Sequence, residues 1–266
     1  MRHSIMIGAA VAALGTAAAM PSDAHAQDQR HFTWSGDLGA HRTVYLNNVN
    51  GNVTFEQGTG RTVEVTAVKR WRRADPDDVR IETRVSSAGD VIVCALYHER
   101  QTCDEGGYHG RNDRYRSWRD GEISVEFRVK IPADARVRAS TVNGDLTIDG
   151  TSGEIRAHTV NGDLVARSTA GRVEASTVNG SLTVRTAAPV TDGLDYSTVN
   201  GSVTVELPAS ANADVDLRTV NGGISSDFPM TLDGMINPRR IRASIGSGGP
   251  TLKISTVNGS IRIRKI

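Results

Sequence analysis

The hydrophobic positions of the chain follow a pattern that repeats every nine residues. Gly144, Gly153, Gly162, Gly171 and Gly180 are each nine residues apart, and apolar residues stand two and four positions after each of them. Alternation with period two is typical of a β-strand that buries one face. Two such halves make an eighteen-residue unit, so the sequence predicts a repeat protein built from short strands.

One motif, Thr-Val-Asn-Gly, marks alternate halves of the repeat, and a looser copy stands at Asn48 to Val53. Its asparagines and glycines are Asn143, Gly144, Asn161, Gly162, Asn179, Gly180, Asn200, Gly201, Asn221, Gly222, Asn258 and Gly259. We expect the asparagines to stack as a structural ladder of hydrogen-bonded amides, with glycine wherever backbone approaches backbone closely. The alternative is that the asparagines are ligand contacts.

Two folds compete for this motif. Asn-Gly between apolar runs is a strong signal for a two-residue hairpin turn, but that turn would put Val142 and Leu146 on opposite faces. If the strand continues through Asn-Gly instead, Val142, Gly144, Leu146 and Ile148 all point inward. The second interpretation suits every copy, so the prediction is an all-β fold built as a parallel β-solenoid.

The first 26 residues have the features of a secretory signal peptide. A basic start precedes a small apolar run, and Ala24-His25-Ala26 has the form of a cleavage site. The apolar run is shorter than the ~20 residues of a spanning helix. We therefore expect a mature chain that begins at Gln27, is exported to the periplasm or the cell surface, and has no integral membrane segment.

The mature chain is expected to have two portions. Residues 27–131 form a β-rich N-terminal portion with a polar loop at 98–121, and residues 132–266 form the repeat solenoid. We call one turn of the solenoid a lap. The final lap ends at Ile261 to Ile266, whose charged outward residues would protect an open edge of the sheet. The formal net charge of +1 argues against a general nucleic-acid binder.

Cys94 and Cys103 are the two cysteines, and they are close in sequence in a chain expected to be exported. A disulfide that closes the intervening loop is the favoured interpretation. A zinc site with His98 and His109 is the alternative, although the spacing matches no familiar zinc finger.

The polar loop carries three aromatic residues among several arginines. Tyr108, Tyr115 and Trp118 are a possible sugar- or anion-binding surface. Acidic residues roughly balance the arginines, so a solvated insertion without a ligand is the competing interpretation.

No catalytic or metal-binding constellation stands out, and no cofactor is predicted. Asp145 and Asp163 would align on adjacent laps, as paired carboxylates do in glycosidases. Serine or glycine replaces the aspartate in the later copies, which favours a solvated face. The glycine-rich nonapeptide of calcium-binding β-rolls is absent.

The repeats, together with Val129-Lys130-Ile131-Pro132-Ala133 and Val91-Ile92-Val93-Cys94, resemble a bacterial family of exported β-strand-repeat proteins. That family is known by the label "putative adhesin", a domain of unknown function. The resemblance implies a right-handed β-solenoid-like fold outside the cytoplasm, and it supplies no catalytic residues.

The function expected from these features is that of an exported, non-enzymatic protein, adhesin-like or structural in the envelope. Its partner would be an unidentified envelope or surface component, protein or glycan. A carbohydrate-active β-helix enzyme that acts on an envelope or extracellular polysaccharide is the alternative, because such folds also carry polysaccharide lyases and hydrolases.

Overall fold

The computed structural model describes residues 30–110, 123–187, 193–233 and 237–266. Nearly all regular structure in these ranges is β-strand, with one short 3-10 helix at Pro76–Asp78. The strands are β1 (His31–Asp37), β2 (Thr43–Asn47), β3 (Val53–Gln57), β4 (Thr62–Trp71), β5 (Arg80–Val85), β6 (Val91–Leu96), β7 (Thr102–Asp104), β8 (Gly107–His109), β9 (Ile123–Ile131), β10 (Arg136–Ser140), β11 (Leu146–Thr151), β12 (Ile155–His158), β13 (Leu164–Ser168), β14 (Val173–Ser176), β15 (Leu182–Thr186), β16 (Leu194–Ser197), β17 (Val203–Leu207), β18 (Ala213–Asn221), β19 (Ile224–Ser226), β20 (Met230–Leu232), β21 (Arg240–Ile245), β22 (Thr251–Asn258) and β23 (Ile261–Lys265).

The strands form two large sheets and one small hairpin. Sheet A has ten strands in the order β1-β4-β9-β3-β11-β13-β15-β17-β23-β19, and sheet B has eleven in the order β20-β21-β18-β22-β16-β14-β12-β10-β2-β6-β5. The hairpin pairs β7 with β8. Neighbours in the middle of both large sheets are parallel.

Each lap of the chain places one strand in sheet B and the next in sheet A. Residues eighteen apart lie side by side, so Leu146 is beside Leu164 and Leu164 is beside Leu182. Asn143 and Asn161 bridge in the parallel sense. The fold is therefore the parallel β-solenoid-like repeat that was predicted, and the hairpin interpretation is wrong.

A continuous hydrophobic core lies between the two sheets. Alternate residues of each strand point into it, and Leu146, Ile148 and Leu164 have no exposed surface. The core continues through the N-terminal strands, because β2 pairs with β10 and β3 pairs with β11. Neither sheet is interrupted near residue 131, the expected limit of the N-terminal portion.

The chain bends at each Thr-Val-Asn-Gly motif, and this corrects the prediction of an inward valine. Thr141 is buried, Val142 and Asn143 are exposed, and Leu146 is buried again. The alternation is reset at the motif itself because two consecutive side chains face solvent where the chain passes from sheet B to sheet A. The threonine, and not the valine, fills the inside of the bend.

The last lap of the chain is not the last lap of the stack. β22 lies between β16 and β18, and β23 lies between β17 and β19. The prediction that Ile261 to Ile266 forms an open edge is therefore wrong. The physical reason is that β21 runs antiparallel to β18 and carries the chain back, so that β22 fills a position left between earlier strands.

Candidate binding surface

The bends lie one above another and form a long surface at one corner of the solenoid. We call the valine and asparagine side chains exposed there the corner surface. Its valines are Val142, Val160, Val178, Val199, Val257 and Val220, and its asparagines are Asn143, Asn161, Asn179, Asn200, Asn258 and Asn221, with the half-buried Asn50 at the N-terminal end of the row. Both rows follow the order of laps in the stack, so residues distant in sequence become neighbours.

The asparagines form a ladder of side-chain hydrogen bonds. Nδ2 of Asn143 donates to Oδ1 of Asn50 at 2.7 Å, and Nδ2 of Asn161 donates to Oδ1 of Asn143 at 2.8 Å. The same bond, at 2.7–2.8 Å, continues through Asn179, Asn200, Asn258 and Asn221. An amide has two N–H donors and its oxygen has two lone pairs. An interior rung therefore has one donor and one acceptor site left for a ligand.

The valines form an apolar stripe beside this ladder. Between 38% and 50% of the surface of each is exposed, although the inward valines of the same laps are fully buried. This stripe does not follow from the hydrophobic pattern, because that pattern predicts one unbroken strand through the motif. The signal that could have revealed it is the threonine, whose hydroxyl suits a bend better than an apolar interior.

The inside of each bend is held by polar contacts to the backbone. Oγ1 of Thr177 donates to the carbonyl oxygen of Gly162 at 3.0 Å, and Thr159 makes the same bond to Gly144 at 3.0 Å. In the first copy the buried Asn48 takes this place, and the two N–H groups of its Nδ2 are shared among three carbonyl oxygens within 3.1 Å. The corner surface is thus supported by satisfied buried groups, which favours a rigid arrangement.

The two aspartates considered as a catalytic pair instead bond to the backbone of adjacent laps. The backbone N–H of Asp163 donates to Oδ1 of Asp145 at 2.9 Å, and that of Ser181 donates to Oδ1 of Asp163 at 2.7 Å. Each carboxylate therefore accepts a backbone hydrogen bond from the next lap. This explains why serine can replace aspartate in later copies, since its hydroxyl also accepts.

A histidine and a serine meet on the outer face of sheet B. Nδ1 of His158 lies 2.7 Å from Oγ of Ser176 on the adjacent lap. Within the described ranges no hydrogen bond joins Nε2 of this histidine to a carboxylate, so the third group of a catalytic triad has no counterpart here.

Cys94 and Cys103 form a disulfide on the outer face of sheet B. Their small apolar cluster lies outside the main core, and the side chain of Tyr108 packs against it. The phenol hydroxyl of Tyr108 donates to the carbonyl oxygen of Ala95 at 2.8 Å, and burial raises the pKa of this phenol. Tyr108 thus contributes to the packing of the hairpin, and Tyr115 and Trp118 lie outside the described residues.

The alternative zinc site would need both thiols, which the disulfide uses. His109 instead bonds to Asp104, with Nε2 2.7 Å from Oδ1, and this contact lowers the pKa of the carboxyl group. The described part of the chain holds no group of three potential metal ligands. It also holds no helix long and apolar enough to cross a bilayer.

The sequence of this chain matches a family model described as Toastrack DUF4097 over residues 112–264. That match spans more than half of the 266 residues. The chain belongs to the Toastrack DUF4097 family. No curated protein matches this Toastrack chain.

Among solved structures, the Toastrack chain is similar to a "putative cell adhesion protein" from Clostridium sporogenes, with 11% identity and a TM-score of 0.47 over 89% of this chain and 100% of that one. It is also similar to a "putative adhesin" from Bacteroides fragilis, with 12% identity and a TM-score of 0.31 over 89% and 97% of the chains. A third structure is a "putative lipid binding protein" from Parabacteroides distasonis, with 9% identity and a TM-score of 0.30 over 88% and 96% of the chains. The family membership rests on the sequence match.

Proposed function

We propose that this chain is an exported, non-enzymatic, adhesin-like binding module. Its corner surface would contact a component of the cell envelope or of another surface, either a protein or a glycan. The lap order gives that surface its length, and the hydrogen-bonded bends give it its rigidity.

The observation that carries this proposal is the exposure of one valine at every Thr-Val-Asn-Gly bend. Scattered apolar residues on a surface need no explanation, but a contiguous apolar stripe is typical of an interaction site. The stripe runs beside the interior rungs of the ladder, whose amides retain a donor and an acceptor site. Successive laps are about 4.8 Å apart. A partner built from repeating chemical units could contact several laps at once. The affinities of many weak contacts then combine into stronger overall binding.

Export is supported by two independent features. The first 26 residues have the pattern of a cleaved signal peptide. The disulfide between Cys94 and Cys103 is of a kind that persists in oxidising compartments and is rare in the cytosol. Cell fractionation and N-terminal sequencing test this point, with a mature chain that begins at Gln27 in an envelope or secreted fraction as the expected result.

The binding proposal is tested with the purified protein on isolated envelope fragments and on immobilised glycans. The double variant Val160→Lys/Val178→Lys puts two charges in the stripe on adjacent laps, where both side chains are already exposed. We expect it to fold and to lose most of the binding. The matched control is Thr183→Lys/Thr204→Lys, which puts the same two charges at paired outward positions on the adjacent strands β15 and β17 of sheet A. This control should retain binding.

Two results would contradict the proposal. One is equal binding by the stripe variant and the control, and the other is no binding by the unmodified protein to any envelope or glycan sample. A reducing-sugar assay on the same polysaccharides tests the non-enzymatic part, for which we expect no release of product.

A further inference from the structure

The stack ends unevenly at its N-terminal end. The lap of Asn50 joins β2 in sheet B to β3 in sheet A, so these two strands lie at the same level. Beyond that level sheet A continues with β9, β4 and β1, whereas sheet B continues only with β6 and β5. Sheet A therefore extends one strand beyond sheet B, and no strand of the described chain lies opposite β1.

We call this uneven end, where sheet A extends one strand beyond sheet B, the step. Side chains at the step are more exposed to solvent than the inward side chains of the neighbouring strands. Phe32 and Trp34, on the inner face of β1, are half-buried, whereas the inward Val63 and Val65 of β4 are fully buried. On β5, Ile81 is half-buried and Val85 is 52% exposed. A cleft of about 360 Å³ separates the start of β1 from the start of β5.

The C-terminal end differs from the N-terminal end. There sheet B extends beyond sheet A by β21 and β20, and the edge strands β19 and β20 have only three residues each. Phe228, on the connection between them, is buried in the main core. The longer free edges are those of β1, with seven residues, and β5, with six. Long free edges are the ones expected to pair with another chain.

We propose that a second copy of this chain fills the step, so that β1 of each copy pairs with β5 of the other. Sheets A and B form the two layers on either side of the core. A two-fold axis parallel to the strands turns the second copy over, so that its sheet A continues the layer formed by sheet B of the first copy. Each layer then contains one extended end and one short end, and the two copies meet without a gap. A two-fold axis perpendicular to the sheets would instead leave a space of two strands in one layer.

The strand directions permit this pairing. β1 is antiparallel to β4, and β4 is antiparallel to β9. Since β9 is parallel to β3 and β3 is parallel to β11, β1 runs with the repeat strands of sheet A. β5 is antiparallel to β6, and so runs against the repeat strands of sheet B. Because the two strands of a lap run in opposite directions, β1 and β5 run the same way. The new pairs are therefore parallel.

The side chains also match across the proposed contact. Phe32 and Ile81 line the same cleft, so they lie at a similar position along the strands, and the two-fold axis keeps that position. Phe32 of one copy then lies beside Ile81 of the other. Four residues further along, Gly36 lies beside Val85, the most exposed apolar residue at this end. The indole ring of Trp34 lies over Gly36, so Val85 of the other copy packs against this ring.

The test is the mass of the purified protein in solution, measured by light scattering during gel filtration. We expect twice the mass of one chain for the unmodified protein and the mass of one chain for Val85→Lys, whose lysine would be buried at the contact. The matched control is Leu232→Lys, which places the same charge at an apolar residue that is 44% exposed on β20, at the other end of the stack. This control should remain a dimer.

Amide hydrogen exchange of the unmodified protein gives a second readout that does not depend on a variant. At high protein concentration β1 and β5 should exchange more slowly than at low concentration, with no change in β19 and β20. An unmodified protein with the mass of one chain would overturn the proposal, as would a dimer that Val85→Lys leaves intact.

Discussion

Glycine recurs at each bend because the neighbouring lap leaves no room for a β-carbon. At Gly180 an added β-carbon would lie 2.0 Å from the carbonyl oxygen of Gly162, and at Gly201 it would lie 1.9 Å from that of Gly180. Backbone oxygens cannot move away as the end of a flexible side chain can. The close spacing of the laps thus depends on glycine as much as on the buried aliphatic residues.

The substitution Gly180→Ala is therefore expected to destabilise the protein by about 1–3 kcal/mol, the usual cost of an overpacked interior. Gly223→Ala is the matched control, because a β-carbon there has no atom within 4 Å. Thermal unfolding followed by circular dichroism measures both. Equal melting temperatures for the two variants would show that the laps are not packed as described.

At the scale of single elements, an ion pair connects β18 to β21 in addition to the backbone hydrogen bonds between them. Asp216 on β18 accepts hydrogen bonds from Arg218, and Arg240 on β21 lies 3.5 Å away. The bond from Arg218, with a smaller contribution from Arg240, lowers the pKa of Asp216 to about 2. This antiparallel pair determines the path of the chain into β22.

A lowered carboxyl pKa gives the stability a defined pH dependence. The contribution of Asp216 is present above its usual pKa of 3.8, and it is lost as the pH falls through about 2. Asp216→Asn should therefore lower the melting temperature at neutral pH, and the difference from the unmodified protein should disappear in this acid range. Asp233→Asn, which removes an exposed carboxylate, is the control. A difference that is independent of pH would contradict this account.

The disulfide links the β7–β8 hairpin covalently to sheet B. A loop as short as the one between Cys94 and Cys103 contributes about 2–3 kcal/mol by chain entropy. The double variant Cys94→Ala/Cys103→Ala should therefore unfold at lower denaturant concentration. The intact mass of the unmodified protein should rise by about two units on reduction. An unchanged mass would show that the thiols are free.

At the scale of the whole molecule, the nine-residue period was enough to predict the solenoid, because each lap alternates apolar and polar residues in the same phase. It could not predict the order of the laps. β18 and β22 present nearly the same inward residues to a neighbour, so either could follow β16. The choice depends on the antiparallel return through β21, which lies outside the repeat.

The corner surface was predictable only in part. The ladder of asparagines follows from the regular recurrence of one polar residue, and so does the use of glycine beside it. The exposed valines do not follow, because an apolar residue within an alternating run predicts burial. Only the bend, which the buried Thr141 stabilises, brings Val142 to the surface.

The length and composition of the corner surface depend on the order of the laps in the stack. Pairs of introduced cysteines test that order most directly. Asn200 and Asn258 are neighbours in the ladder, and Asn221 lies one rung beyond. Val199 and Val257 are therefore about 4.8 Å apart along the stack, and Val199 and Val220 are about twice that distance. A disulfide requires α-carbons within about 7 Å.

The measurement is the intact mass before and after reduction of Val199→Cys/Val257→Cys and of Val199→Cys/Val220→Cys. We predict a second disulfide in the first variant and free introduced thiols in the second. A disulfide between positions 199 and 220, with free thiols in the 199 and 257 pair, would mean that the laps stack in chain order and would contradict the account.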